Sequence, residues 1–403
     1  MRVDFDRIID RRHTGSVKWS RYGDALPLWV ADMDFSAPEP VVQALRERVE
    51  HQIFGYTLPP EDLGEAVRAW LRRRHGWEVE QEAISFVPGV MRGVNSVARA
   101  VGRPGDGILV QPPVYFPFLV VPENSERVLE QAPVRPVNGR YQIDFDAFEQ
   151  AITDRTRLFL LCNPHNPLGR VFTTMELERL AEICLRRNIV ISSDEIHGDL
   201  IFNGHKHIPI AALAPEIAAK TVTTFAPSKT FNIPGLSCSI MIIQDAELRA
   251  QVKAAGAGLV GGVNVMGYAA ALAAYQEGEE WLLQLLEYLQ ENRDYTLDFV
   301  GTRLPGIEMA PVEGTFLAWL DCRSSAACLS HDGEEGNAHE FFLQRANVAL
   351  NEGATFGSGG EGFVRLNFGC TRATLVQALE RMEGALEEGR AAADSSGRGT
   401  RCG

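Results

Sequence analysis

The chain has 403 residues, 45% of them hydrophobic and 23% charged, and Asp and Glu outnumber Lys and Arg by 53 to 39, a formal net charge of −14. That length fits a full-sized core in two domains, while the acidic balance and the lack of a basic run argue against a nucleic-acid or anionic-membrane partner. The start, MRVDFDRIIDRRH, has no apolar signal-type stretch, and no later segment reaches about 18 uninterrupted apolar residues, so a small-molecule partner and a cytoplasmic setting are expected.

Taken in chain order, SAPEP places Ser36 and Glu39 at capping-box spacing with Pro38 in the first turn, which predicts a helix from 37 or 38. Between about 84 and 245, short apolar runs (AISFV, GILVQ, RLFLLC, IVISS, TVTTFA, SIMIIQ) alternate with helical patterns near 91 and around MELERLAEICLRRN. That alternation predicts an α/β domain with a largely parallel sheet. GYAAALAAY and the 3.6-periodic EEWLLQLLEYLQENRDYTLDFVGTRL then lead away from the sheet. A smaller α+β domain follows, with strands at GTFLAWLD and GFVRLNFG and helices near 337–346 and 372–388, and the polar tail from 391 reads as disordered.

Ligands of an open parallel sheet gather at the carboxyl ends of its strands, so the residues ending each apolar run carry the functional information. After AISFV comes Pro88-Gly89-Val90-Met91, a strand-to-helix turn suited to a phosphate. GILVQ leads to Tyr115, a rigid aromatic face, and RLFLLC to Asn163-Pro164-His165-Asn166-Pro167. Asp194 ends IVISS, where a buried acid asks for a cation, and His197 follows three residues later. TVTTFA leads to Ser228 and Lys229, one of only five lysines; the other four, Lys18, Lys206, Lys220 and Lys253, are expected to be solvated. A phosphate cradle, an aromatic plate, an amide, an acid needing a cation and a strand-end amine on one sheet edge describe a pocket for pyridoxal 5′-phosphate.

Two patterns are discounted. Gly256, Gly258 and Gly261 satisfy G-x-G-x-x-G but follow a helical segment, so a flexible interface loop is expected there. His205 and His207 sit in NGHKH, read as a surface turn and not as a metal site. The seven cysteines are scattered, without CxxC or Cys/His spacing, and are expected to be reduced core residues.

The strings NPHNPLGR, SDEIHGDL, SKTFNIPGL and FVRLNFG resemble the fold-type I, aspartate-aminotransferase-like enzymes. WVADMDF, FGYTLPP, QPPVYFPF, EGTFLAWLDCR and VALNEGATFGSGGEGFVRLNFGC are similar to the MalY/PatB-type cystathionine β-lyases, and the likeness runs from about residue 3 to 388. It implies a large domain with a mostly parallel seven-stranded sheet at 49–280, a small domain at 281–390 joined by an N-terminal segment at 1–48, and a tail at 391–403. It implies that Lys229 carries the cofactor, Asp194 pairs with its pyridine nitrogen, Asn166 binds its phenolic oxygen and Tyr115 stacks on it, with Val90, Met91 and Ser228 at the phosphate. By the same likeness Arg365 forks the substrate α-carboxylate, while Tyr56 reaches the phosphate of the neighbouring subunit in a homodimer. His197 stands near the phenolic oxygen without an assigned role. The chain departs from the pattern at Ala226, where a hydroxyl residue is usual, and at Thr371, where a proline is expected. The implied activity is α,β-elimination of L-cystathionine or other cysteine S-conjugates; an aminotransferase and a regulatory protein built on the same fold are the alternatives.

Overall fold

The computed structural model describes residues 2–325, 328, 330–331, 334–335 and 337–398. Seven strands form the large sheet: β1 (Ile84–Val87), β2 (Gly107–Val110), β3 (Val128–Gln131), β4 (Thr156–Cys162), β5 (Val190–Asp194), β6 (Thr221–Phe225) and β7 (Ser239–Ile242), in the order β1-β7-β6-β5-β4-β2-β3. Only β7 runs antiparallel to its neighbours. The runs are continuously apolar because both faces are covered: Leu109, Phe159 and Leu161 enter one core cluster, and Ile108, Leu158 and Leu160 the other. Edge strand β3 escapes sequence reading, since Val128 is about half exposed and Glu130 interrupts it.

The parallel register sets the strand ends side by side. Cys162 of β4 pairs with Asp194 of β5, and Asp194 with Thr224 of β6. The residues that follow these strands therefore share one edge.

The helices that cover the sheet include α1 (Glu39–Glu50), α2 (Glu61–His75), α3 (Val90–Ala100), α4 (Thr174–Arg186), α5 (Val265–Glu277), α6 (Glu279–Arg303) and α7 (Arg372–Arg398). Helix α1 begins at Glu39, not at 37 or 38: Pro38 is its N-cap, no side chain caps it, and Pro40 occupies its first turn. A complete capping box instead opens α4, between Thr173 and Glu176. Thr371 stands at the start of α7, and its hydroxyl accepts from the Thr374 amide at 3.2 Å. The boundary expected at 390 lies inside α7, which runs on through the helix-favouring Ala391, Ala392 and Ala393 and ends at Arg398; residues 399–403 lie outside the described residues.

Beyond α6 the chain builds an antiparallel sheet of β8 (Glu308–Met309), β9 (Leu317–Asp321), β10 (Asn351–Glu352) and β11 (Phe363–Asn367), ordered β8-β9-β11-β10. The N-terminal segment serves both halves. Leu26 and Pro27 pair in parallel with Val348 and Ala349, while α1 lies against α5.

That segment also corrects the expectation for Lys18, which is buried at 1% exposure. Its ammonium bonds to the Asp34 carboxylate at 2.7 Å and to the Asp32 carbonyl at 3.0 Å. Asp34 also accepts from Arg11 at 2.6 Å and from the Trp19 indole at 2.9 Å, and these donors hold its carboxyl below the ordinary range against the opposing effect of burial. Lys18→Met leaves Asp34 buried with Arg11 as its remaining cation, so a loss of about 3 kcal/mol is expected, at the low end for a broken buried ion pair. Chemical-denaturant unfolding of the purified protein checks it.

Candidate active site

A cavity of about 770 Å³ opens at the carboxyl edge of the large sheet, between it and the β10–β11 sheet. Its lining includes Val90, Met91, Tyr115, Asn166, Asp194, His197, Ser228, Lys229 and Arg365. One sequence-selected residue is elsewhere: Tyr56 is fully exposed and does not line the cavity of its own chain.

Gly89, the residue before α3, adopts φ 115°, where an L side chain is strained. A Cβ built there would meet nothing within 4 Å. Val90 and Met91, whose amides open α3 at its positive end, line the cavity beside it, a placement suited to an anion. Tyr115 is half-buried against Phe116 and Phe118, and its hydroxyl is pushed up to about 12, chiefly by burial and then by Asp194.

Three acids of the SDEIHGDL segment are buried, and they differ in how well they are satisfied. Glu195 accepts from Ser193 and His207, each at 2.8 Å, and from the Ile210 amide at 3.3 Å. Asp199 accepts from Trp70, His75 and Thr230 at 2.9–3.1 Å. Among the described residues, the Asp194 carboxylate accepts only the Ile196 amide, at 3.1 Å. Burial pushes its carboxyl up to about 7, and Glu195 adds to the effect. The Lys229 ammonium opposes the shift without reaching the carboxylate, and a strand-end acid with no hydrogen-bonded cation is a built receptor for one.

Arg365 on β11 shows the opposite imbalance. Nη1 donates to Asn166 Oδ1 at 2.9 Å, and Nη2 to the Trp29 carbonyl at 2.8 Å and Asn351 Oδ1 at 2.9 Å. All three acceptors are neutral, and the buried Nε has no partner. Desolvation lowers this guanidinium to about 10. Lys229, on the short helix Pro227–Thr230, donates to the Ala31 carbonyl. Burial lowers its ammonium to about 8, with Asp32 opposing. His197 is held well below its ordinary value by burial and by Lys229 and Arg365, so its ring is neutral; its buried Nδ1 is unpartnered.

Sequence reading missed several contributors. Ala31 and Trp29 act through carbonyls, which no side-chain pattern reveals, and Asn351 belongs to a strand of two residues. NGHKH is a surface turn only through Lys206: His207 is buried, because Glu195 behind it requires a donor. The glycine loop after Gly256 follows the helix Ala246–Gly256, and Leu259 in it is exposed.

The profile of the class I and II aminotransferase family matches residues 24–382. Cystathionine beta-lyase PatB of Bacillus subtilis (strain 168) is 43% identical over 392 residues, covering 95% of this chain and 100% of that protein. MalY of Escherichia coli (strain K12) is 30% identical, covering 95% and 98%. Among solved structures, cystalysin from Treponema denticola, which contains pyridoxal 5′-phosphate, superposes with a TM-score of 0.91 at 33% identity, covering 96% and 100%. The PLP-bound C-S lyase from Staphylococcus hominis gives 0.89 at 34%, covering 95% and 98%.

The Asp194 imbalance has a pH signature. A carboxyl whose folded value lies above its unfolded 3.8 favours the folded state at low pH and costs stability as pH rises toward about 7. Asparagine carries no such cost. Ligand-free Asp194→Asn should therefore be more stable than wild type at pH 8, by up to about 4 kcal/mol from a pKa difference of about 3 at about 1.4 kcal/mol each, with the gap closing toward pH 4. Thermal melts across that range decide it.

Proposed function

The chain belongs to the class I and II aminotransferase family, and we propose that within it the protein is a pyridoxal 5′-phosphate-dependent carbon–sulfur β-lyase that splits L-cystathionine, or a related cysteine S-conjugate, into a thiol, pyruvate and ammonia. The observation that carries this reading is one cavity holding, among the described residues, a buried acid with no hydrogen-bonded cation and a buried guanidinium with no hydrogen-bonded anion. The choice of lyase over transaminase rests on the full-length likeness to PatB and the C-S lyases.

The residues present fit the cofactor. Asp194 supplies the missing partner for a protonated ring nitrogen, Tyr115 the stacking face, and the Val90 and Met91 amides with Ser228 the phosphate seat. Asn166 Oδ1 is engaged by Arg365, which leaves its NH₂ for the phenolic oxygen. Lys229 makes the covalent attachment through an amine that burial brings near neutral pH. When bound, pyridoxal 5′-phosphate supplies an electron sink for a carbanion at the substrate Cα.

The chain's own groups then divide the work. Arg365 takes the substrate α-carboxylate on its unpaired Nε and an adjacent Nη, fixing the Cα–H bond in orientation. The Lys229 amine, in its free form, would take the Cα proton as general base. The electron pair left at Cα expels the thiolate from Cβ, and water completes the conversion of the remaining fragment to pyruvate and ammonia. Neutral His197 adds no charge beside Lys229, so the amine keeps its basicity.

A homodimer with shared sites is part of the proposal. Ile53, Phe54, Tyr56 and Leu58 form an exposed apolar run, of the kind that marks an interface, and Tyr56 there would reach the partner's phosphate seat. The cytoplasmic setting is supported by the six described cysteines, all free and buried, and no helix among the described residues is long and apolar enough to cross a membrane.

Incubation with L-cystathionine tests the activity: pyruvate formed without a keto-acid acceptor is expected, and strict acceptor dependence would mark a transaminase. Lys229→Ala should lose both the visible absorbance of the attached cofactor and pyruvate formation. Arg365→Ala should raise KM roughly 10- to 150-fold, the worth of a charge-assisted fork of about 1.5–3 kcal/mol. For the shared site, Tyr56→Phe must first be shown defective. Exchanged with Lys229→Ala subunits, it should then recover about a quarter of wild-type activity, since a random mixed dimer holds one intact site; no recovery after confirmed exchange would assign Tyr56 to its own chain.

A further inference from the structure

The cavity extends past Arg365 into a wall that none of the cofactor or α-carboxylate roles uses. The Trp29 carbonyl binds Arg365, and the Trp29 ring packs edge-on against Tyr22 at 5.5 Å. Tyr22 in turn meets the ring of His339 at 5.9 Å, whose Nδ1 is engaged by the Leu350 carbonyl at 3.0 Å. Over this aromatic surface lies Arg21, its guanidinium 5.6 Å from the Tyr22 centroid and 5.3 Å from that of Trp29. All of these residues line the cavity, as does Glu352 beside Asn351.

Two features of Arg21 point to a ligand. Among the described residues no carboxylate pairs with it, whereas Arg11, Arg170 and Arg365 each hold several acceptors. Two ring faces hold its planar head at the cavity mouth, which limits the side-chain entropy lost when it takes a planar anion. Glu352 follows Asn351, an Arg365 ligand, and among the described residues its carboxylate accepts one hydrogen bond, from Asn337, weak at 3.5 Å.

We infer that Arg21, seated on Tyr22 and Trp29, forms a subsite for a carboxylate at the far end of the substrate's sulfur substituent, with Glu352 placed to take an ammonium beside it. This rests on the β-lyase reading and deepens it: the preferred leaving groups are thiols that carry a distal carboxylate, and an amino-acid thiol satisfies both charges. Simple S-alkyl cysteines enter the same cavity and contact only the rings. The subsite selects by added attraction, not by exclusion.

Binding and turnover test this together on the cofactor-loaded, full-length protein. By calorimetry, wild type should bind L-2-aminoadipate about five- to tenfold more tightly than its neutral isostere L-norleucine, a charge-assisted contact discounted for solvent exposure. Arg21→Gln should erase that preference, and Arg21→Glu should invert it. The kcat/KM ratio for L-cystathionine over S-ethyl-L-cysteine should fall in Arg21→Gln by the same factor. Because both readouts are ratios, a general loss of folding or loading cancels. Equal binding of the two ligands by wild type, or an unchanged ratio in Arg21→Gln, would overturn the subsite. Failure of wild type to form pyruvate from either substrate would instead sink the lyase reading and leave the calorimetric test of Arg21 intact.

Discussion

Two desolvated groups of opposite sign, Asp194 and Arg365, line one cavity without meeting each other, and the rest of the site depends on that separation. A direct ion pair between them would satisfy both and leave nothing for a ligand. Instead Asp194 has one backbone amide, and Arg365 has three neutral acceptors and a bare Nε. The cost of holding such groups apart in a buried place is several kcal/mol per charge before relaxation. It is tolerable only in a large molecule whose core is secured elsewhere, as the three apolar clusters here secure it. The cavity is thus strained electrostatically and not sterically, and a ligand with a cationic ring nitrogen at one end and a carboxylate at the other relieves it.

The separation is enforced from the N-terminal segment. Trp29 and Ala31 present carbonyls to Arg365 and Lys229, and Asn367 beside Arg365 on β11 donates to the carbonyls of Val30 and Asp32. One short stretch of backbone therefore positions both cations. A loop of that kind has few internal hydrogen bonds, so something must hold it. Lys18 and Arg11 do so through Asp32 and Asp34, and Asn232, three residues after Lys229, bonds to Met33 and Phe35 from the other side. Removing charge from this cluster would loosen the seat of both active-site cations at once.

The legible parts of the sequence are those where one residue type has one physical reason. Asp194 after an apolar strand, Lys229 among few lysines, and the Gly89 turn each follow from what a strand end or a positive φ permits, and the large sheet follows from apolar runs covered on both faces. Edge strand β3, with Val128 half exposed and Glu130 within it, gives no such run. The start of α1 differs from the capping-box reading because Pro38 takes the N-cap place that Ser36 offered and Pro40 falls in the first turn, so no side chain caps the helix. Lys18 in a helical context and His207 in the turn NGHKH carry no local sign of burial; what buries each, Asp34 and Glu195, is an acid brought by the fold. Carbonyl ligands such as those of Ala31 and Trp29 carry no side-chain signature at all.

The segment SDEIHGD shows how folding separates a structural acid from a functional one when the sequence treats them alike. Glu195 and Asp199 are as buried as Asp194, and each has collected three donors. Their histidines touch, with ring centroids 5.4 Å apart, so the two acids belong to one polar layer behind the cavity. Thr230, the residue after Lys229, donates to Asp199 and so ties the short helix that carries the amine to that layer. The donors of that layer are turned toward Glu195 and Asp199, and none of them reaches the Asp194 carboxylate. The contrast with its satisfied neighbours marks Asp194 as the acid left to a ligand, and the acids whose needs are already met stand one layer behind it.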